Sequence, residues 1–316
     1  MAIRTLLLDH AAAEAVSSLA EHRVPAVLLK GAALAAWLYE GETRPYGDVD
    51  LLVDPAKRIL AASILSEDGY RHRLEGAAES EIGPFEIELV KPGGACIDLH
   101  HSLIGVSAGP ARCWEVLSRR TVPMVVGGAT VQVLDEPSRA MHLALHVAQN
   151  GPVDLKAVDD LERGLRRLPV GLWLQALDVA EQLDAIEAFS GGLRVTETGA
   201  RMADRLGVDP PRDVALLLRV SSAPQEALQI QNLVAAGSLG RRLRLVGRKL
   251  WPTTAYMRTQ LPSGMGSQLD LVVARVTRMV GLPVKFATAF QSWTKARHTA
   301  RRATTGSAPM PDEGDR

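Results

Sequence analysis

The pattern of hydrophobic and polar residues changes near residue 135. Before that point, short apolar segments with strand-like alternation are mixed with segments of helical spacing. Beyond it nearly every segment has helical spacing, until small and polar residues take over at 303. We therefore predict an α+β domain at 1–135, an all-helical domain at 136–302 and a disordered tail at 303–316.

The strand-like segments are bounded by turn residues, and two pairs of them predict hairpins, one of them at the sheet edge. The predicted strands are residues 27–29, 49–53, 70–74, 85–89, 96–100, 122–126 and 130–134. The predicted helices are residues 4–22, a segment from 32, and 54–69, then, beyond a short one near 114–117, 138–150, 154–168, 172–183, 196–206, 211–220, 224–250, 269–280 and 284–302.

Asp48 and Asp50 stand at the start of one apolar strand. Residues two apart on a strand share a face, so both carboxylates project together while Val49 and Leu51 point the other way. Paired carboxylates repel unless a cation or a proton lies between them. Magnesium prefers oxygen ligands and keeps open positions for substrate phosphates. The pair is therefore a candidate magnesium–phosphate site, and a solvated strand edge is the alternative.

The segment before these aspartates has the features of a phosphate-binding loop. An apolar strand at 27–29 runs into Lys30, Gly31 and Ala32, and residues of good helical propensity follow. In a strand–glycine–helix arrangement, backbone N–H groups at the helix start receive a phosphate. Arg44, in the turn-rich loop that follows, adds a fixed positive charge.

A second acidic segment lies at 96–100, where alternation places Asp98 and His100 on one face. A third carboxylate on a neighbouring strand is what two-metal nucleotidyl transfer needs, because it can bind a metal and accept the acceptor's proton. His100 could orient the acceptor or a phosphate, and a structural hydrogen bond is the competing interpretation. Glu86 and Glu88, on the preceding strand, could be additional site carboxylates, but we favour the solvent side of the strand for both.

Taken together, these motifs resemble a known family. A Lys-Gly after an apolar strand, an Arg-Pro-x-Gly-Asp-x-Asp-Leu-Leu-Val block and a later Ile-Asp-Leu-His are similar to the uncharacterised nucleotidyltransferase family of the DNA polymerase β-like superfamily. The resemblance implies a mixed-sheet catalytic domain in which Asp48, Asp50 and Asp98 hold magnesium or manganese. It also places Gly31 and Ala32 in the phosphate-binding loop.

The loop departs from the superfamily pattern at one position. Members usually have Gly-Ser or Gly-Gly there, whereas Ala32 follows Gly31 in this chain. Ala32 has no hydroxyl, so contacts to phosphate must come from backbone N–H groups, Lys30 or Arg44.

The helical part contributes weaker candidates. His142 and His146 are four residues apart and share a helix face, but the glutamate of a His-Glu-x-x-His zinc site is missing. The resemblance places this helix beside the active cleft, which makes His146 a substrate contact. It marks Lys156 and Asp159 in the same way, with a surface ion pair between them as the competing explanation.

Composition narrows the class of protein. Hydrophobic residues make up 47% of the 316 residues and charged residues 23%, as is usual for a globular chain. Two cysteines give no disulfide framework, and we find neither a signal peptide nor an apolar run of the ~20 residues that a membrane span needs. We therefore expect a cytoplasmic protein.

Charge is distributed unevenly although the formal net charge is zero. Between residues 237 and 302 the chain has thirteen basic residues and a single acidic one, Asp270. Such a segment can bind an anion, or it can form solvated helix faces that balance an acidic first half, and we favour the second interpretation. Few aromatic residues lie among the basic ones, so we do not expect nucleic acid as a partner.

We therefore predict a magnesium-dependent nucleotidyltransferase. It would move a nucleoside monophosphate, AMP from ATP, to a hydroxyl or phosphate of a small molecule, peptide or protein, including a natural product. The alternative is a catalytically inactive module of the same fold that binds a nucleotide, a peptide or a nucleic acid. Ala32 favours this alternative, and three clustered carboxylates argue against it. The acceptor and the oligomeric state cannot be derived from the sequence.

Overall fold

A computed structural model describes residues 2–73, 85–92, 94–238, 240, 242 and 286–302. Within these residues, one mixed sheet is followed by a helical region. The strands are β1 (Ala26–Leu28), β2 (Val49–Val53), β3 (Arg71–His72), β4 (Glu86–Val90), β5 (Cys96–His100), β6 (Thr121–Val126) and β7 (Ala129–Leu134).

Four helices accompany the sheet in the described part of the chain, and the later helices follow β7. The first group is α1 (Ala2–Glu21), α2 (Ala32–Leu38), α3 (Arg58–Glu67) and α4 (Pro110–Ser118). The second is α5 (Glu136–Asn150), α6 (Leu155–Arg167), α7 (Val170–Gln182), α8 (Ile186–Leu193), α9 (Glu197–Arg205), α10 (Val214–Val220) and α11 (Gln225–Ala235). Residues 286–302 are also helical. No helix among the described residues is both long and apolar enough to cross a bilayer.

The sheet has the strand order β3-β4-β5-β2-β1-β7-β6. Two pairs, β2 with β5 and β1 with β7, are parallel, and the other neighbours are antiparallel. The predicted α+β class and mixed sheet are therefore confirmed. Both predicted hairpins, β4–β5 and β6–β7, are present, and β6 lies at the sheet edge as predicted.

The two faces of the sheet pack against different helices. On one face Leu51 of β2 belongs to a hydrophobic cluster with Leu19 of α1 and Leu65 of α3. On the other face Leu52 shares a cluster with Trp173 and residues of the helical region. Because side chains alternate along a strand, Asp48 and Asp50 lie on the Leu52 side and face the helical region.

Helix α5 is the centre of that region, and most of its residues are buried. The Asp135 side chain accepts a hydrogen bond from the backbone N–H of Ser138, which caps the helix start. Gly151, at φ 72°, ends the helix in a conformation that favours glycine. The change from strands to helices thus falls at residue 135, where the sequence pattern predicts it. The division into two domains stays a prediction, because one hydrophobic cluster includes residues of both parts.

The structure differs from the predicted helices at two places. The pattern does not predict α8, whose Ser-Gly-Gly segment has poor helical propensity. The predicted helix 224–250 is wrong in its length, because α11 ends at Ala235 and Ala236 is extended. The predicted helix 269–280 and tail 303–316 lie outside the described residues.

The glycines of α8 have a packing role. A Cβ atom at Gly192 would lie 1.8 Å from the carbonyl oxygen of Ala144 in α5. The two helix backbones therefore approach closely enough to exclude any side chain at this position.

We expect Gly192→Ala to lower the free energy of unfolding by about 2 kcal/mol or more, because α8 must move away from α5. Gly171→Ala in α7 is the matched control, since a Cβ there meets no atom within 4 Å. This control should be neutral or slightly stabilising because alanine favours the helix. Denaturant midpoints of both variants measure the difference. Equal midpoints would contradict the close approach of α5 and α8.

Candidate active site

A cleft of about 260 Å³ opens between one face of the sheet and the corner at which α5 gives way to α6. Most of the residues predicted for the site line it. They are Lys30, Gly31, Arg44, Asp48, Asp50, Asp98, His100, His146 and Lys156. Ala32 and Asp159 do not line the cleft, whereas Tyr46, Glu86, Gln149, Asn150 and Asp154 do.

The carboxylates meet because β2 and β5 are parallel neighbours. In their register Asp50 is paired directly with Asp98. Asp48 lies two residues before Asp50 and therefore on the same face. The spacing along two strands thus brings acids from distant parts of the sequence to one wall of the cleft.

Asp50 is the buried centre of this wall, with 2% of its surface exposed. Its Oδ1 lies 2.7 Å from Nζ of Lys30 and 3.0 Å from Nε2 of His100. Burial opposes ionisation, but the charge of Lys30 and the hydrogen bond from His100 hold the pKa of Asp50 well below its usual range. Asp50 is therefore a carboxylate whose charge is balanced by the lysine that follows β1.

His100 links two carboxylates. Its Nδ1 lies 3.2 Å from Oε2 of Glu86, on the opposite side of the ring from Asp50. The assignment of Glu86 to the solvent side of its strand is wrong, because Glu86 lines the cleft. Glu88 is instead paired with the exposed Arg73.

Asp98 forms no ion pair among the described residues. Burial, followed by repulsion from Asp50 and Asp48, raises the pKa of Asp98 to about 6. Such a group is stabilised by a proton or by a cation. Among the described residues, however, no three His, Cys, Asp or Glu side chains converge as a ready-made metal site. In this arrangement the ammonium of Lys30 is the cation that contacts Asp50.

The loop between β1 and α2 brings Lys30 and Gly31 to the cleft. The backbone N–H of Leu29 bonds to the carbonyl of Asp50, which fixes the loop beside β2. Gly31 has φ 61°, and a Cβ there would lie 3.5 Å from the ring of Tyr46. Glycine suits this position because it adopts positive φ without strain.

Arg44 lies in the cleft wall, but its strongest interaction is with the helical region. Its Nε and Nη2 bond to the two carboxylate oxygens of Asp160 in α6, at 2.8 and 2.5 Å. Both side chains are at most 1% exposed. The hydroxyl of Tyr39 also donates to Asp160, at 2.7 Å. Arg44 is therefore clamped by a carboxylate that the sequence analysis does not include.

Helix α5 contributes a wall of neutral groups. The amide of Asn150 lies 3.1 Å from Nε2 of His146 and donates to Asp154 at 2.7 Å. Burial, followed by the charge of Lys30, lowers the pKa of His142 to about 3 and that of His146 well below its usual range. His142 lines a narrow recess of about 10 Å³ beside the cleft.

Lys156 and Asp159, predicted together as substrate contacts, lie in different environments. Lys156 lines the cleft, whereas Asp159 is half-exposed and pairs with Arg163 at 2.9 Å. The family resemblance marks Asp159, but its neighbour Asp160 is the residue that contacts Arg44. Residues adjacent on a helix point about 100° apart, and helical periodicity alone does not decide between them when both are acidic.

Comparisons with known proteins give a family and several distant structural likenesses. The model of a family described as "Uncharacterised nucleotidyltransferase" matches residues 1–198. No curated protein matches the chain.

Solved structures resemble the chain at low identity. The antibiotic-resistance factor ANT(2'')-Ia in solution has 15% identity and a TM-score of 0.41, over 55% of this chain and 91% of that one. An antigenic nucleotidyltransferase-like protein from Paracoccidioides brasiliensis has 14% identity and a TM-score of 0.40, over 65% and 94%. The Thermotoga maritima CCA-adding enzyme complexed with tRNA has 10% identity and a TM-score of 0.26, over 93% and 81%.

Likenesses at this level say nothing about the activity of this chain. The family match is different in kind, because it spans 198 of 316 residues and includes the sheet, the cleft and helices α5 to α8. The motifs around Asp50 and Asp98 predict the same family, and this prediction is confirmed. The chain belongs to the uncharacterised nucleotidyltransferase family.

Proposed function

We propose that this protein transfers a nucleoside monophosphate, AMP from ATP, to a hydroxyl or phosphate of an acceptor and releases pyrophosphate. The observation that carries the proposal is the direct pairing of Asp50 with Asp98 on parallel strands, with Asp48 on the same face of the cleft. Membership of a nucleotidyltransferase family supports the same reaction class.

The chemistry of the donor set suits a divalent cation, although the three carboxylates do not converge as a ready-made site among the described residues. Asp48, Asp50 and Asp98 offer the oxygen ligands that magnesium and manganese prefer. The raised pKa of Asp98 and the ion pair of Asp50 with Lys30 both reflect an excess of negative charge on this wall. Bound metal ions would neutralise charge on the triphosphate and on the attacking and leaving oxygens.

The side chains of this chain supply the remaining parts of the reaction. The acceptor oxygen would attack the α-phosphorus of ATP while the bond from that phosphorus to the bridging oxygen breaks and pyrophosphate leaves. Asp98 would take the proton of the acceptor hydroxyl as general base. Lys30, Gly31 and Arg44 would contact phosphate, and His100 and His146 would contact the acceptor.

The acceptor class is a small molecule, a peptide or a protein side chain. The cleft wall opposite the strands offers amide and neutral imidazole groups from Gln149, Asn150 and His146, which suit a polar acceptor. We place the reaction in the cytoplasm, where ATP is available. The free thiols of Cys96 and Cys113 fit a reducing compartment.

A second candidate function rests on one specific observation. Nζ of Lys30 contacts Asp50, the position from which a metal ion would act. A side chain that permanently replaced the cation would leave a nucleotide-binding module without transfer activity. The two functions differ in whether Lys30 can be displaced.

We expect Asp50→Asn to lower the rate of transfer by about 100-fold or more while the protein stays folded. The reason is that Asp50, which is both a proposed metal ligand and the partner of Lys30, loses its negative charge. The assay is incubation with ATP labelled at the α-phosphate and a cell extract, followed by identification of the labelled product. Glu88→Gln is the control, because Glu88 lies opposite Asp98 in the adjacent strand but pairs with Arg73. Turnover by Asp50→Asn near that of the unmodified protein would contradict the assignment.

We expect Lys30→Met to bind Mn²⁺ about tenfold or more tightly in the absence of nucleotide, because the competing ammonium is removed from Asp50. Paramagnetic resonance of free Mn²⁺ measures this affinity without any turnover. Lys57→Met, a lysine that bonds to the backbone of Arg23, should leave the affinity unchanged. If neither the unmodified protein nor Lys30→Met binds Mn²⁺, the carboxylates do not form a metal site.

Thermal shift separates transferase from binding module. For the transferase, we expect one nucleoside triphosphate to raise the melting temperature only when magnesium is present, because ligand binding to the folded state stabilises it. Equal shifts with and without magnesium would favour the module. Binding to DNA or RNA that weakens steeply with salt would also favour it.

A further inference from the structure

One nitrogen of the Arg44 guanidinium has no hydrogen-bond partner among the described residues. Asp160 accepts from Nε and Nη2, and Nη1 is buried with no hydrogen-bond partner among the described residues. A buried polar group without a partner is costly, and a charged one more so. Arg44 also lines the cleft, and Nη1 is its only side-chain nitrogen without a hydrogen-bond partner in the described part of the chain.

Lys156 is a second cation on the same cleft. It lies in the first turn of α6, four residues before Asp160. No residue in the described part of the chain forms an ion pair with Lys156. Burial, followed by repulsion from Arg44, lowers the pKa of Lys156. The carboxylates of Asp48 and Asp160 act in the opposite direction, so burial is the main cause of the lowered pKa.

Two other charged groups of the cleft, Lys30 and Asp154, already have partners. Lys30 is paired with Asp50. Asp154 caps α6 by accepting from the backbone N–H of Ala157 and also accepts from Asn150. An anion between Arg44 and Lys156 would therefore satisfy donors that no described side chain satisfies.

The positive charges of Arg44 and Lys156 and the composition of the loop after β1 indicate which class of anion would bind. Two cations on separate elements suit a chain of phosphates, which carries charge on successive groups. The loop at Gly31 and Ala32 offers no side-chain hydroxyl, so a triphosphate needs donors from elsewhere.

We infer that Arg44 and Lys156 form a polyphosphate-binding subsite for the β- and γ-phosphates of a nucleoside triphosphate, and that Asp160 positions Arg44 within it. The identity of the bound triphosphate rests on the proposed function, whereas the binding of inorganic polyphosphate does not. In this subsite, residues of the helical region form part of the contacts with the nucleotide's phosphates.

The test is calorimetric titration of the full chain with inorganic tripolyphosphate, ATP and AMP in magnesium buffer. We expect Lys156→Met to weaken binding of tripolyphosphate and of ATP by about ten- to a hundredfold, the effect of a lost charge-assisted hydrogen bond. AMP, which lacks the β- and γ-phosphates, should bind equally well to both proteins. Lys156→Arg should retain most of the affinity.

The control for Lys156 is Arg166→Gln on the same helix. Arg166 is 58% exposed and pairs with Glu162, so its loss should not change tripolyphosphate binding. Lys156 itself is partly exposed, and its substitution leaves the Arg44–Asp160 pair in place, so the variant should fold.

Asp160→Asn tests the positioning role. We expect weaker binding of tripolyphosphate and a higher KM for ATP with a smaller change in kcat, because Arg44 keeps its charge but loses its clamp. A merely structural role would lower the melting temperature and leave these binding constants unchanged, which would overturn the positioning role.

Three outcomes would overturn the subsite. The first is that the unmodified protein does not bind tripolyphosphate, and the second is that Lys156→Met binds tripolyphosphate as tightly as the unmodified protein does. The third is that Lys156→Met loses affinity for AMP as much as for tripolyphosphate, which would place a single phosphate at Lys156. Failure of the proposed function is distinguishable, because tripolyphosphate binding that depends on Lys156 can persist in a protein that transfers no label.

Discussion

The buried charge of Asp50 is the constraint on which the site depends. Asp50 is nearly inaccessible, and its carboxylate is held by Lys30 from the end of β1 and by His100 from β5. Removal of one partner from a buried pair typically costs about 3–5 kcal/mol, because the other charge is left uncompensated. The relative positions of three strands are thus coupled to the electrostatics of one side chain. Any cation that binds Asp50 must replace the stabilisation that Lys30 provides.

A second buried pair connects the sheet side of the cleft with its helical side. Arg44 belongs to the loop before β2, and Asp160 belongs to α6. Neither charge is exposed to solvent, so removal of either side chain would leave the other charge buried and uncompensated. The hydrophobic cluster that includes Leu52 and Trp173 also crosses from the strands to the helices. Contacts between the strands and the helices therefore hold the two sides of the cleft together.

The sequence predicts the strand side of the cleft better than the helical side. Alternation along β2 and β5 predicts which residues share a face. The pairing of Asp50 with Asp98 also needs the parallel register of these two strands, which the alternation does not give. The partner of Arg44 does not follow, because Asp159 and Asp160 are adjacent acids on one helix. Helix α8 is not predicted, since its glycines have low helical propensity and are required by the approach of α5. The roles of the site residues stay predictions in every case.

The burial of the α5 histidines has a consequence for the acceptor. Burial lowers the pKa of His142 to about 3 and that of His146 well below its usual range, which favours the uncharged form of both rings. Helix α5 therefore presents uncharged nitrogen donors and acceptors beside the carboxylates of the strands. Discrimination among acceptors on this side would come from shape and from the direction of hydrogen bonds.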